Sequence, residues 1–380
     1  MKIKFNVDSI VNQLAVASNV VGTKVVGAPI LNDFVIKTYN KRKQAIVTAS
    51  DGELWLEIKF ELICEESGED FEFAVGAKEF VSTLRGLSGY TVEIALDQES
   101  HTIKGTYENG YFSIPFESSE GFPRPFVNDD KRTEKTIDAQ KILLAIESTK
   151  FAAATKSITR PQTNGIHFDF EEEMMTAMAT DTSKMSIFDD TTIKSESGFT
   201  FCFTISNKTV NLLCQMLQKV DGDIKVSSGG NNLVVSRHDF RVMAKLLEGK
   251  YPNCKRVVPK SNKIVVTICR DDLAASIKRV MPLGNQSTKM VVMEFSEGSV
   301  ALKSRDVDFS KEASNSLKCD YSGELFRIGF NGNNMLETIA NFNDDNLLFK
   351  MSEAKQATII VPETQDSEVV CTCLLMPMTL

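Results

Sequence analysis

The chain repeats itself three times, with a period the size of a domain. Val7-Asp8-Ser9-Ile10, Ile137-Asp138-Ala139-Gln140 and Cys269-Arg270-Asp271-Asp272 each lead from a short β-like run into an amphipathic helical stretch. The Asp in each is expected to cap that helix, accepting hydrogen bonds from its orphan N–H groups. A second joint recurs as an alternating strand feeding a helix: residues 71–75 before AKEFVSTLRGLS, 199–203 before SNKTVNLLCQMLQ, and 325–330 before NNMLETIANFN. Val75, Phe203 and Phe330 lie 128 and 127 residues apart. Solenoid units run to about 20–50 residues, so whole domains are duplicated here.

Two seams separate the copies. Gly121-Phe122-Pro123 and Lys250-Tyr251-Pro252 stand 129 residues apart, and proline punctuates a connection because it cannot continue a ladder. The expected domains are residues 1–127, 128–254 and 255–380. Each third reads as α+β, with two helices and about eight short alternating strands. Equivalent domains joined head to tail repeat one rotation, and a rotation that closes makes a ring.

Composition narrows the function. The 380 residues carry 43 Lys+Arg against 51 Asp+Glu, a net charge of −8, which argues against a protein that coats nucleic acid with general positive charge. It leaves room for cations gathered on one face. The 42% apolar and 25% charged content is that of a soluble globular chain, not a disordered or membrane one. No apolar run approaches a membrane span, and MKIKFNVDSI lacks a signal-peptide core, so a cytoplasmic location is expected. Of eight cysteines only Cys371 and Cys373 are close, on one face of a strand, where they read as small core hydrophobes. His101, His167 and His238 are dispersed, and neither GxxxxGK[ST] nor GxGxxG occurs. Glu171-Glu172-Glu173 and Asp189-Asp190 read as solvated turns, and Asp181 as a turn residue. No catalytic, metal or cofactor site is expected. The alternative is an α+β hydrolytic enzyme with an unrecognised carboxylate site, distinguished by its mass in solution and by turnover.

Taken in order, a set of short segments carries a resemblance. These are the MKIKF start, Ala28-Pro29-Ile30-Leu31, Gly121-Phe122-Pro123, Asn164-Gly165, Ala179-Thr180-Asp181, Gly249-Lys250-Tyr251-Pro252 with Arg256-Val257, Gly329-Phe330-Asn331, and Met376-Pro377-Met378-Thr379-Leu380. Over its whole length the chain resembles the bacterial β sliding clamp family, the processivity subunits of replicative DNA polymerase. The resemblance implies three domains of DNA-clamp fold, with helices lining the inside and sheets outside, in a head-to-tail homodimeric ring around duplex DNA. A magnitude agrees with two copies. Helices are about 10 Å wide, so six abreast leave a hole of only about 9 Å, whereas twelve leave about 28 Å. A duplex is about 20 Å across, which only the larger hole admits.

Residue roles follow from the same resemblance. Phe112 and Ile114 on an edge strand, with Leu283 and the end of the helix carrying Arg279, are expected at the dimer interface. The DNA-facing set is Lys24, Lys78, Arg85, Lys141, Lys150, Lys156, Arg160, Lys208, Lys278 and Arg279, with Asn12, Asn19, Ala145, Ser148 and Ala275 as small or amide inner-face positions. Such a surface attracts phosphate without reading sequence. The helix carrying Glu337, followed by Asp344 and Asp345, departs from the trend.

An apolar groove for partner peptides would use Thr163, Thr180, Lys184, Met185, Pro252, Arg256, Val257, Leu374, Met376, Pro377 and Met378, with Asp181, Thr182, Ser183 and Gln356 at its margin. Methionines repack around different side chains, which suits a pocket shared by many peptides. The implied partners are the polymerase, a separate ring loader and repair factors. The family often has Gly-His-Arg-Leu where this chain has Thr182-Ser183-Lys184-Met185, and Arg where it has Thr379, so peptide preference is expected to differ.

Overall fold

The structure is a computed structural model that describes residues 2–22, 28–63, 69–125, 132–194 and 200–380. The first third holds β1 (Lys2–Asn6), α1 (Val11–Ala17), β2 (Asp33–Tyr39), β3 (Gln44–Ser50), β4 (Leu54–Glu61), β5 (Glu72–Gly76), α2 (Ala77–Arg85), β6 (Thr91–Asp97), β7 (Thr102–Tyr107) and β8 (Gly110–Glu117). The second holds β9 (Thr133–Asp138), α3 (Ala139–Thr149), β10 (Gly165–Phe170), β11 (Met175–Thr180), β12 (Lys184–Asp190), β13 (Phe201–Ser206), α4 (Asn207–Leu217), β14 (Asp223–Gly229), β15 (Asn232–Ser236) and β16 (Phe240–Lys245). The third holds β17 (Ile264–Cys269), α5 (Arg270–Val280), β18 (Met290–Ser296), β19 (Ser299–Asp306), β20 (Lys311–Lys318), β21 (Phe326–Asn331), α6 (Gly332–Ile339), β22 (Asn346–Met351), β23 (Thr358–Pro362) and β24 (Val369–Leu375). Among the described residues each third thus has the eight strands and two α-helices its pattern implies.

The chain packs as two compact units: Met1–Lys141 with Asn211–Leu246, and Ile142–Val210 with Leu247–Leu380. The first contains a 12-stranded sheet in the order β1-β6-β7-β8-β5-β2-β3-β4-β16-β15-β14-β9. The second contains an 8-stranded sheet, β13-β10-β11-β12-β24-β23-β22-β17, and a 4-stranded sheet, β20-β19-β18-β21. The threefold repeat is written in these orders. Each third supplies one run equivalent to β1-β6-β7-β8 and one equivalent to β5-β2-β3-β4. Where one third meets the next, the last strand of one run pairs with the last strand of the other. That junction is β4 against β16, with Leu56 opposite Val242, and again β12 against β24, with Met185 opposite Leu374.

Alternation places apolar side chains on the helix side of the strands, giving cores such as Val266, Leu273, Ile277, Phe295, Phe330 and Phe349 in the second unit. In the first unit Leu31, Val35, Trp55, Phe122, Val234 and Met243 cluster together, and the Trp55 indole N–H donates to the Pro123 carbonyl at 2.9 Å. The seam proline thereby satisfies a buried donor.

One of the three expected caps is found. Asp138 accepts from the backbone N–H of Gln140 (2.8 Å) and Lys141 (3.3 Å) at the start of α3. Asp8 instead lies in a 3-10 turn, and its carboxylate holds the turn after α2 through Ser88 Oγ (2.8 Å) and the Gly89 N–H. Asp271 and Asp272 lie inside the first turn of α5, whose N-cap residue Cys269 makes no side-chain cap bond. There they complement the helix dipole.

Candidate functional site

The expected groove residues all fall in the second unit and separate into a buried floor and open walls. Register puts Thr180 opposite Met185, Met185 opposite Leu374, and Leu374 opposite Ile359, so one row crosses four strands. Met178, Met185, Ile187, Tyr251, Cys254, Ile359 and Leu374 pack into a single apolar cluster, with Val258 against it. Burial drives the Cys254 thiol up to about 12, so it sits there as a neutral hydrophobe. Thr163, Thr180 and Lys184 are also buried, which removes them from direct contact with a visitor. The open members are Arg256, Val257 (52% exposed) and Met376 (41%), with Pro252, Pro377 and Met378 half-buried.

Tyr251 organises the floor. Its hydroxyl accepts from the Thr180 N–H at 3.2 Å and donates to the Gly165 carbonyl at 3.5 Å. The His167 ring stacks on it, with centroids 4.9 Å apart, and shares a hydrogen bond with Thr204 Oγ1 at 2.9 Å. Burial holds His167 down to about 4, so the imidazole is neutral at physiological pH.

The β11–β12 hairpin forms the margin. The Asp181 N–H bonds the Lys184 carbonyl, leaving Thr182 and Ser183 as the two turn residues. Thr182 holds φ +77°, a backbone region that favours glycine, and Ser183 does not share it. Asp181 Oδ1 accepts from the Ser183 N–H (2.8 Å), Ser183 Oγ (2.7 Å) and the Lys184 N–H (2.9 Å). Lys184 Nζ reaches Asp181 at 3.0 Å and Glu337 on α6 at 2.8 Å. Burial opposes both charges. The turn hydrogen bonds and Lys184 nevertheless hold Asp181 below its ordinary range, and the two carboxylates hold Lys184 above its own. Asn334 Nδ2 adds a bond to Ser183 Oγ at 3.0 Å. The sequence reading saw Glu337 only as a stray acid and missed Asn334 and Ile359. The apolar run of β23 marks Ile359 as a sheet residue, but nothing marks its neighbour across the sheet.

The tail runs on from β24. The Met378 N–H donates to the Gly329 carbonyl at 2.7 Å, a single antiparallel bridge to β21. Cys373 is fully buried in the core, and half-buried Cys371 stands near Ser186 Oγ and Asn341 Nδ2. No group of three or more His, Cys, Asp or Glu among the described residues could hold a metal ion.

Of the cations, Lys24 lies outside the described residues. Lys78, Arg85, Lys150, Lys156, Arg160, Lys208, Lys278 and Arg279 are exposed, and Lys141 is half-buried. Lys278 and Arg279 occupy the last turn of α5, where the helix dipole favours them. The loop bearing Lys156 and Arg160 is pinned by Asn164, which accepts from the Ser157 N–H (2.6 Å) and donates to its carbonyl (2.9 Å). Ala145 is fully buried because its α3 face turns to the core, so it is not an inner-face position. At the expected interface Ile114 is only 7% exposed, packed within its own sheet, so it offers little surface to a second copy. Phe112 is half-buried, its ring lying over Gly105, where a Cβ would meet it at 2.0 Å. Leu283 is exposed.

A three-repeat α+β chain with these junctions defines a clamp-type fold. The N-terminal, central and C-terminal domains of the DNA polymerase III beta subunit family match residues 1–125, 136–253 and 255–379 in order, and the chain belongs to that family. The beta sliding clamp of Vibrio cholerae is 24% identical over 373 residues, 97% of either chain. The DNA polymerase III subunit beta of Pseudomonas aeruginosa superposes with a TM-score of 0.92 at 20% identity, covering 100% of both chains. A Pseudomonas aeruginosa sliding clamp bound to griselimycin gives 0.91 at 19%, again over 100% of both.

Proposed function

We propose that this chain is a non-catalytic sliding clamp: two copies close head to tail around duplex DNA and tether the replicative polymerase and other partners through peptides docked in the groove. The observation that carries the reading is the unfilled junction. The rule that pairs β4 with β16 and β12 with β24 calls next for β20 against a strand equivalent to β8. Among the described residues β20 pairs only with β19, and residues 110–115 of β8 pair only with β7. Open edges invite a partner strand. A second copy supplies both, with Phe112 and Leu283 beside the joint. The full-length match to the beta subunit family supports the same reading, and domains of 1–127, 128–254 and 255–380 accord with it.

Enclosure makes tight contacts unnecessary, so exposed cations such as Lys156, Arg160, Lys278 and Arg279 suffice for a salt-sensitive attraction to phosphate. The groove supplies recognition, with Met376 and Val257 as adaptable apolar walls. No cofactor enters, opening falls to a separate loader, and the working place is the cytoplasm. No helix among the described residues is long and apolar enough to cross a membrane.

The test is retention. Loaded on nicked circular plasmid by the loader of the same cell, the protein should co-elute with DNA in gel filtration and be lost when one restriction cut makes the plasmid linear. Sedimentation should give twice the 42.2 kDa chain mass. Retention after linearisation, or a single-chain mass under loading conditions, overturns the ring.

A further inference from the structure

The outer face of the 4-stranded sheet is unusual for a face turned to water. Its inner side is apolar, with Val291, Met293, Phe295, Leu302, Ile328 and Phe330 all buried. A sheet with one wet side normally alternates to polar residues on the other. Here Met290 and Val292 stand on the outer side, next to Gly329, and a trough of about 440 Å³ opens over them, continuing past Lys303 and Arg305. Val307, 70% exposed, and Leu380 also line it.

Gly329 links this trough to the tail. Register sets Met378, Gly329, Val292 and Lys303 in one row. A Cβ at 329 would come within 2.8 Å of Leu380 Cδ2 and 3.4 Å of Met290 Sδ. The missing side chain is therefore what lets Leu380 lie against the sheet. The segment that borders the peptide groove with Met376 and Met378 thus walls the trough with Leu380.

We propose that this trough is a second subsite, which takes an extended continuation of the same partner chain whose short peptide docks in the groove. The inference rests on the groove reading above. Two observations name the occupant. The first is continuity: from Met378 to Val292 is two strand spacings, about 10 Å, the reach of about three extended residues. The second is charge. Glu294 engages both Lys303 (3.0 Å) and Arg327 (2.5 Å), whereas Arg305, opposite Glu312 in the ladder, makes no ion pair with any described residue. The fitting segment sets a large apolar side chain over Val292 and Gly329 and a carboxylate toward Arg305, where a bidentate pair forms.

The experiment uses two synthetic peptides from the replicative polymerase of the same organism. One is the short clamp-binding segment alone, and the other carries about ten native residues more at each end. Fluorescence anisotropy measures both against the full-length protein and the Val292→Glu and Arg305→Glu variants, with circular dichroism checking their fold. The long peptide should bind at least about tenfold tighter than the short one to the unmodified protein. Each variant should erase most of that advantage and leave the short peptide unchanged. Equal binding of both peptides, or a long-peptide advantage untouched by either variant, overturns the second subsite and leaves the groove standing. Failure of the short peptide alone, with a variant-sensitive long peptide, overturns the groove and keeps the trough. If neither peptide binds, both readings fall.

Discussion

At Thr182 a β-branched side chain holds φ +77°, a region that such residues rarely enter. A glycine here, which the resemblance leads one to expect, would carry no such penalty. The hydrogen bond from the Thr182 N–H to Thr180 Oγ1 at 3.0 Å and the Asp181 cage keep the strained turn closed. Thr182→Gly should release about 1 kcal/mol net, strain relief less the entropy glycine brings to the unfolded chain, read as a rise in thermal midpoint. Asp33 is a second residue-scale case. Burial, with Glu117 and Glu79 nearby, raises its carboxyl to about 6. The folded state therefore holds this proton more tightly than the unfolded state, and stability is lost as pH climbs from about 4 to about 6. Asp33→Asn should stabilise at pH 7.5 by about 1 kcal/mol, a figure discounted for its partial exposure, and by nothing near pH 3.5. A melting curve at each pH checks the sign. Residue type alone showed that Asp181 serves a turn. It could not show that Lys184 is buried, since lysine is ordinarily a surface residue and only its two carboxylate partners make burial tolerable.

Elements are held together here by a few polar ties. Lys184 on β12 joins the hairpin to α6 through Glu337, and it is 8% exposed against 52% for Glu337. Truncating the buried partner leaves Asp181 without its cation, whereas truncating the wet one leaves Lys184 still paired. Lys184→Ala should thus cost about 2–3 kcal/mol and Glu337→Ala about 0.5 kcal/mol, compared by urea midpoint. Strand-to-helix joints were legible because the pattern changes from period 2 to period 3.6 at Gly76, Ser206 and Asn331. The caps were less so. Asp8 matches its counterparts in sequence, yet a 3-10 turn intervenes before α1 and turns its carboxylate to the Ser88 turn instead. A local rule cannot anticipate a partner eighty residues away.

Across the molecule, the triplication was plain in the sequence because strand–helix joints recur at a fixed period. The sheet orders were not, because β4 meets β16 and β12 meets β24 through contacts separated by most of a domain or more. The empty junction yields a prediction at this scale. If two copies pair there as proposed, Leu283→Glu should weaken the dimer about tenfold or more by sedimentation equilibrium while the chain keeps its circular dichroism, since the residue is exposed in a single copy. If DNA is enclosed rather than held, Lys156→Glu with Arg160→Glu should alter lifetime on a closed plasmid less than about twofold, yet suppress weak binding to short linear duplex.

Gly329 gives the tail a dependence on a distant site. A single methyl at that position would meet the tip of the exposed Leu380 side chain, which swings aside at little cost while Val257 and Met376 keep their places. A ligand resting on Leu380 would then bind a Gly329→Ala chain less well, through a substitution at a position it need not touch.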